Sequence, residues 1–365
     1  MLMLKKTIAA LSLLSILAAC QNDENPSQPE PKPRQDINLT RAEQEFMDKG
    51  TDFAFRFFDQ VCSTEKEKPN VFVSPLSASL CLSMITNGAT DNTLAEMQDV
   101  LGFPANTFSL DDLNNYNQKL TSALLDLDNT TQLGIANSIW IEEGFKVYDS
   151  FVDVNKKMYD AQVQELDFTS PTAKDVINQW CATQTNNCIK EVIQEIPADA
   201  RMYLINALYF KGIWKSQFDK SATGQDNFTN VDGSQQKVAM MNQTATFNYT
   251  QTDDFSIAEL PYGNEAFSMV ILLPSGDKTL DESLPSLNYE NWKQWSKNMV
   301  GKELQIKLPR FKVEYDKELE EDMIAMGMKD AFDAYKAKFA NMSGAELYIG
   351  LLQQFTYINV DEEGT

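Results

Sequence analysis

Residues 351–365 read Leu351-Leu-Gln-Gln-Phe-Thr-Tyr-Ile-Asn-Val-Asp-Glu-Glu-Gly-Thr365. In the middle of this stretch Phe355, Tyr357 and Asn359 alternate with Thr356, Ile358 and Val360. Aromatic and β-branched side chains suit a pleated, half-buried surface, so the run predicts a strand. The strand meets Asp361-Glu362-Glu363 and then Gly364 and Thr365. Charges followed by a glycine and a small residue predict a hinge at Glu362, Glu363, Gly364 and Thr365.

The 365 residues are 43% hydrophobic and 23% charged, enough to bury a large core in one big domain or two smaller ones. A net charge of -22 argues against nucleic-acid binding, because a phosphate backbone would be repelled. It suits solubility and neutral or basic partners. The chain has no histidine, which removes Ser-His-Asp and Cys-His catalysis and nearly all zinc and haem sites. The one Ser-x-x-Lys, Ser275 to Lys278, follows Pro274 and contains Gly276, a turn composition. Abundant Asp and Glu leave a carboxylate hydrolase formally open, but no paired-acid motif marks a site. The expectation is a non-enzyme with no metal and no cofactor.

The N-terminus has the pattern of a targeting segment. Lys5 and Lys6 precede an apolar run from Thr7 to Ala19, which ends Leu17-Ala18-Ala19-Cys20. This resembles the lipobox of bacterial lipoproteins, which implies cleavage before Cys20 and acylation of that cysteine. Each acyl CH₂ buried in a bilayer contributes ~0.8 kcal/mol, so the membrane partner would be reached through the lipid alone. The acidic run Gln21-Asn-Asp-Glu24 resembles an export tag for outer-surface display. Pro26, Pro29, Pro31 and Pro33 predict an extended tether. The expected division is a signal peptide over 1–19, a lipidated tether over 20–36 and a folded domain over 37–365. The expected location is the outer membrane, facing the cell surface or the periplasm. Export permits disulfides; Cys181 and Cys188 either pair or stay as free thiols, like Cys62 and Cys81.

Phe46, Phe53, Phe57, Phe58 and Val61 recur at helical spacing within 41–61. Asn70 to Val73 reads as a short β run. It leads to Ser74, an N-cap with Pro75 behind it, and to a helix apolar almost all round. Such a helix is buried in a large protein. Thr93-Leu-Ala-Glu96 has the capping-box pattern. Helices are expected over 109–127, 148–159, 171–184 and 316–326. Strands are expected over 133–141, 161–168 and 202–218, within 228–274, and over 305–313. Strands and helices mix without the regular alternation of a doubly wound fold, which makes the class α+β.

Three stretches together resemble the serpins. Val360-Asp-Glu-Glu-Gly-Thr365 matches the end of strand 5 of their sheet A and the hinge of the reactive loop. Asn70-Val-Phe-Val-Ser74-Pro-Leu-Ser77 matches the start of their central helix. Met202 to Phe218 matches strand 3 of sheet A, with Asn206 at the shutter asparagine and Trp214 at the breach tryptophan. Segments at 301–311 and 340–344 also look serpin-like.

The resemblance implies a large mixed sheet A with smaller sheets B and C and about eight or nine helices. It implies a protease inhibitor that acts as a suicide substrate. The loop is cut, an acyl-enzyme forms, and the loop enters sheet A and traps the protease. Targets would be serine proteases or papain-like cysteine proteases. The native protein would be a monomer, with polymers formed when a strand of one copy enters the sheet of another. The small residue at Thr365 favours an inhibitor; the alternative is a non-inhibitory serpin or a surface-exposed binding lipoprotein.

Two departures stand out. Serpins usually carry a shutter histidine where Gln354 stands; glutamine can rebuild the bond to Asn206, without pH sensitivity. The family's loop and last strands also follow the position of Thr365. The sequence therefore reads as a truncated product or the large fragment of a loop-cleaved one.

Overall fold

The computed structural model describes residues 32–230 and 233–365; the predicted leader and Cys20 lie outside the described residues. Helix α1 (Arg41–Thr64) opens on Thr40, whose Oγ1 accepts the Glu43 amide while the Glu43 carboxylate accepts the Thr40 amide. Two of the helix's orphan donors are satisfied in this way. Its Phe46, Phe53, Phe57 and Val61 face the core, as their spacing predicts. Helix α2 (Pro75–Thr86) runs through the centre of that core, with Leu80, Leu82 and Met84 almost wholly buried.

Helix α3 (Asp91–Leu101) begins two residues before Thr93, so Thr93–Glu96 is not its capping box. Both side chains serve another segment instead. Thr93 Oγ1 accepts the Lys338 amide at 3.0 Å, and Glu96 accepts the Lys329 and Asp330 amides at 2.7 Å each. Helix α4 (Leu110–Asp126) starts on a Ser109–Asp112 capping box. Residues 70–73, expected as a β run, lie in no strand.

Strand β1 (Gln132–Glu142) is the middle of a three-stranded sheet. Helix α5 (Asp149–Tyr159) leads to β2 (Ala161–Leu166), parallel to β1. Helix α6 (Ala173–Gln184) packs across the sheet before β3 (Met202–Lys211), antiparallel to β1 on its other side.

Five strands form a second body: β4 (Gly224–Thr229), β5 (Gln235–Gln251), β6 (Phe255–Pro261), β7 (Ser268–Pro274) and β8 (Val300–Pro309). The 17-residue β5 pairs with β4 at one end and β6 at the other, and β8 lies along ten of its residues. The long β5 thus joins all but β7 of this sheet directly. Helices α7 (Leu280–Ser283) and α8 (Tyr289–Lys297) separate β7 from β8.

Strand β9 (Phe311–Glu318) precedes α9 (Glu320–Met326) and pairs antiparallel with β10 (Gln353–Val360). Residues 316–318, expected as helix, complete β9 instead, because the Asp316–Glu318 backbone pairs with Gln353–Phe355. At this end Lys317 Nζ lies 2.9 Å from Glu65 and 3.3 Å from the fully buried Asp322, tying α1 to β9 and α9. Nine α-helices and three sheets are present among the described residues, as the α+β reading requires.

Candidate functional site: a cleft between two halves of the central sheet

Strands β3 and β10 face one another across a cleft of about 1690 Å³. One bank is β3 from Met202 to Lys211, already paired to β1 on its far side. The other is β10, already paired to β9. No ladder joins the two banks among the described residues. Each therefore presents a row of backbone donors and acceptors with no strand partner. Ser74, Ser77, Ala78 and Cys81 of α2 and its cap form part of the floor. All four cysteines in the described residues are free, so Cys181 and Cys188 do not pair. Burial pushes the Cys81 thiol up to about 12, which makes it an inert lining group.

The predicted site residues fall into two groups at opposite ends of this cleft. On the floor, Gln354 belongs to the β10 bank. Its Oε1 accepts the Ser74 amide at 2.8 Å, and its Nε2 donates to the Ser74 carbonyl at 2.9 Å. Ser74 Oγ accepts the Ser77 amide at 3.3 Å, capping α2. Thr356 Oγ1 donates to the Phe72 carbonyl at 2.6 Å. The β10 bank is thus fastened to the chain entering α2.

Asn206 belongs to the β3 bank. Its Nδ2 donates to Asn137 Oδ1 at 2.8 Å, and Asn137 Nδ2 donates to the Tyr159 carbonyl at 2.7 Å. Its own Oδ1 is buried without a partner. The expected Gln354–Asn206 bond is not made. The residues sit on opposite banks, and the Gln354 amide is turned to the Ser74 backbone instead. Ser74 and Ser77 are half-buried rather than fully buried, because they face the cleft.

At the other end the banks meet. Ile213 and Gly364 form an antiparallel bridge. The Gly212 amide donates to the Thr365 carbonyl at 3.1 Å and the Thr365 amide to the Gly212 carbonyl at 2.9 Å. The Trp214 amide reaches the Glu363 carbonyl at 2.9 Å, and the Phe218 amide the Glu362 carbonyl at 3.0 Å. A Cβ on Gly364 would stand 1.8 Å from the Gly212 carbonyl oxygen, so only glycine permits this approach.

Trp214, 3% exposed, donates its indole N–H to the Asp361 carbonyl at 2.9 Å and stacks on Tyr262 at 4.4 Å between ring centres. Glu362, 2% exposed, accepts from Thr223 Oγ1 at 2.6 Å and pairs with the Arg310 guanidinium. Burial acts to raise its pKa, but Thr223 and Arg310 outweigh that and hold the carboxyl below its ordinary value. Glu363 pairs with Lys220 at the exposed surface.

Tyr262, Arg310 and Thr223 were not among the predicted site residues. Tyr262 reads in sequence as part of a turn, and no spacing rule links it to Thr365, 103 residues away. Arg310 follows Pro309 between two strands, where a basic residue is unremarkable in sequence.

The arrangement can accept a β-strand: two unpaired edges, a floor of small and apolar groups, and a hairpin-like turn at one end. Comparison with known proteins identifies the family and the fold. Residues 48–365 match the family described as Serpin (serine protease inhibitor). Serpin B6 of Macaca fascicularis is 36% identical over 307 residues, covering 81% of this chain and 81% of its own. Among solved structures, the thermophilic serpin tengpin in its latent state superposes with a TM-score of 0.81 at 31% identity, covering 90% of this chain and 88% of its own. A loop C-sheet serpin polymer superposes with a TM-score of 0.80 at 31% identity, covering 91% and 85%. With the family model matched over residues 48–365 and relatives above 30% identity along most of its length, this chain belongs to the serpin family, a family of protease inhibitors.

Proposed function

We propose that this protein inhibits serine proteases, and papain-like cysteine proteases by the same route, as a suicide substrate. The observation that carries the reading is the cleft between β3 and β10, open along its length and closed at Gly212–Thr365. A protease that cuts a loop beyond the hinge forms an acyl-enzyme. The freed strand then enters the cleft and pairs with both banks. Each inserted residue adds about one backbone hydrogen bond, worth ~0.5–1.5 kcal/mol net. Several such bonds, with burial of apolar side chains over α2, outweigh the cost of ordering the loop. The attached protease is carried across the sheet and distorted before it can deacylate.

The reading includes a lipid anchor at Cys20 that holds the inhibitor at the cell surface or in the periplasm. It includes the site roles as well: Glu362, Glu363, Gly364 and Thr365 as the hinge, Trp214 as the closure of the breach, and Ser74, Ser77, Asn206 and Gln354 as the shutter. A second copy's strand suits the same cleft, which makes polymers the expected failure.

Thermal melting before and after limited proteolysis of a chain that carries the loop beyond Thr365 tests the mechanism. Insertion predicts a large rise in Tm on cleavage. An unchanged Tm contradicts it and leaves a binding serpin.

A further inference from the structure

Tyr262 stands on the turn after β6, in the five-stranded body rather than on either bank of the cleft. Its amide donates to the Phe267 carbonyl at 2.9 Å, and the next amide, of Gly263, donates to the Ile213 carbonyl at 2.9 Å. The ring is clamped. It stacks on Trp214 and meets Phe210 edge-on at 5.3 Å. It also lies over Gly212, where a Cβ would fall 2.7 Å from the ring. The absent side chain of Gly212 is what lets the ring reach the mouth of the cleft. There the Tyr262 hydroxyl hydrogen-bonds the Thr365 hydroxyl. Burial pushes the phenol up, so it remains a neutral hydrogen-bonding group at physiological pH.

We infer that Tyr262 is a positioning residue that latches Thr365 onto Gly212 and so sets how fast a strand enters the cleft from this end. The inference rests on reading the cleft as a strand acceptor. An incoming strand must pair along β3 from Gly212 downward, and Thr365 already occupies both hydrogen-bonding groups of Gly212. Entry of a foreign strand therefore requires Thr365 to leave. Its departure breaks the two backbone bonds and the hydroxyl–hydroxyl bond, and the last of these depends on Tyr262. A purely structural tyrosine would contribute through its ring alone, and phenylalanine would replace it.

The test measures uptake of a synthetic acetylated decapeptide of alternating Thr and Ala, followed by native-gel shift. Tyr262→Phe keeps the ring stack and removes only the hydroxyl. Thr365→Val removes the other hydroxyl, so the conclusion does not depend on one variant folding. Both are expected to take up peptide about two- to tenfold faster than wild type, the rate equivalent of one neutral hydrogen bond. The double variant should be no faster than the faster single one, and Thr365→Ser should stay near wild type. Equal rates in wild type and both single variants overturn the latch, as does a serine variant as fast as valine. If no variant and no wild-type protein takes up peptide, the strand-accepting cleft falls and the latch with it. If uptake follows the predicted order but no protease is trapped, the suicide-substrate reading alone falls.

Discussion

Gln354 grips both backbone groups of Ser74, 280 positions away in sequence, accepting from its amide at 2.8 Å and donating to its carbonyl at 2.9 Å. One neutral amide thereby holds the β10 bank to the cap of the helix that forms the cleft floor. Gln354→Ala removes two hydrogen bonds; the half-buried Ser74 carbonyl keeps the Ala78 amide at 3.1 Å, so the expected cost is about 1 kcal/mol. The expected result is a lower midpoint in urea with an unchanged slope, together with faster peptide uptake. A midpoint equal to wild type would show that the grip adds nothing.

Asn206 spans the β3 bank in the same way, through Asn137 to the Tyr159 carbonyl. Asn206→Ala leaves Asn137 Oδ1 without that donor, but it also removes the orphaned Asn206 Oδ1. The net loss should therefore fall at the low end, about 1 kcal/mol. Size-exclusion chromatography after incubation below the melting point should show more oligomer than wild type. Wild-type melting with no oligomer would remove Asn206 from the shutter role.

Glu362 gives the closed end of the cleft its acid sensitivity. Its folded pKa lies below its ordinary value of 4.5, so it contributes stability above that value, and this is lost as pH falls through the folded value. Hydrogen-exchange protection factors at the Trp214 and Phe218 amides, which bond the Glu363 and Glu362 carbonyls, should fall below about pH 4.5. Glu362→Gln should flatten that dependence. Arg310→Met should move its onset to higher pH, because the cation that depresses the carboxyl is gone. An acid profile identical in all three proteins would contradict the assignment.

Gly364→Ala tests the close approach of the two backbones. Its Cβ cannot coexist with the Gly212 carbonyl, so the Gly212–Thr365 pair must open. Faster exchange at Gly212 and an increase in oligomer are expected, with the main core around α2 unchanged by near-ultraviolet circular dichroism. Wild-type exchange at Gly212 would mean the mouth closes by another route.

Much of the fold was legible because its signals are local. The aromatic spacing in α1, the Ser74–Pro75 start of α2 and the alternation in β10 each follow from a period or a cap. The positions proposed as hinge and shutter were singled out through their resemblance to serpin motifs. The misses have one physical cause: partners chosen by the tertiary fold. Thr93 and Glu96 carry a capping-box pattern, yet a segment more than 230 positions away takes their side chains. The Gln354–Asn206 bond failed because the Ser74 backbone competes for the same amide, which no sequence pattern shows. Tyr262 was invisible as a site residue because its role depends on a missing Cβ at Gly212 and a hydroxyl at Thr365. Residues 70–73 look like a strand, but they lie in no ladder, and the Phe72 carbonyl accepts the Thr356 hydroxyl of β10 instead of a strand amide.

The most direct test of the central claim is to mix a chain carrying the loop beyond Thr365 with trypsin-, chymotrypsin-, elastase- and papain-like proteases and to separate the products on denaturing gels. The account predicts a band at the summed mass of inhibitor and protease for at least one of them. Cleavage near the hinge without any such band would contradict the covalent trap while leaving the serpin fold in place.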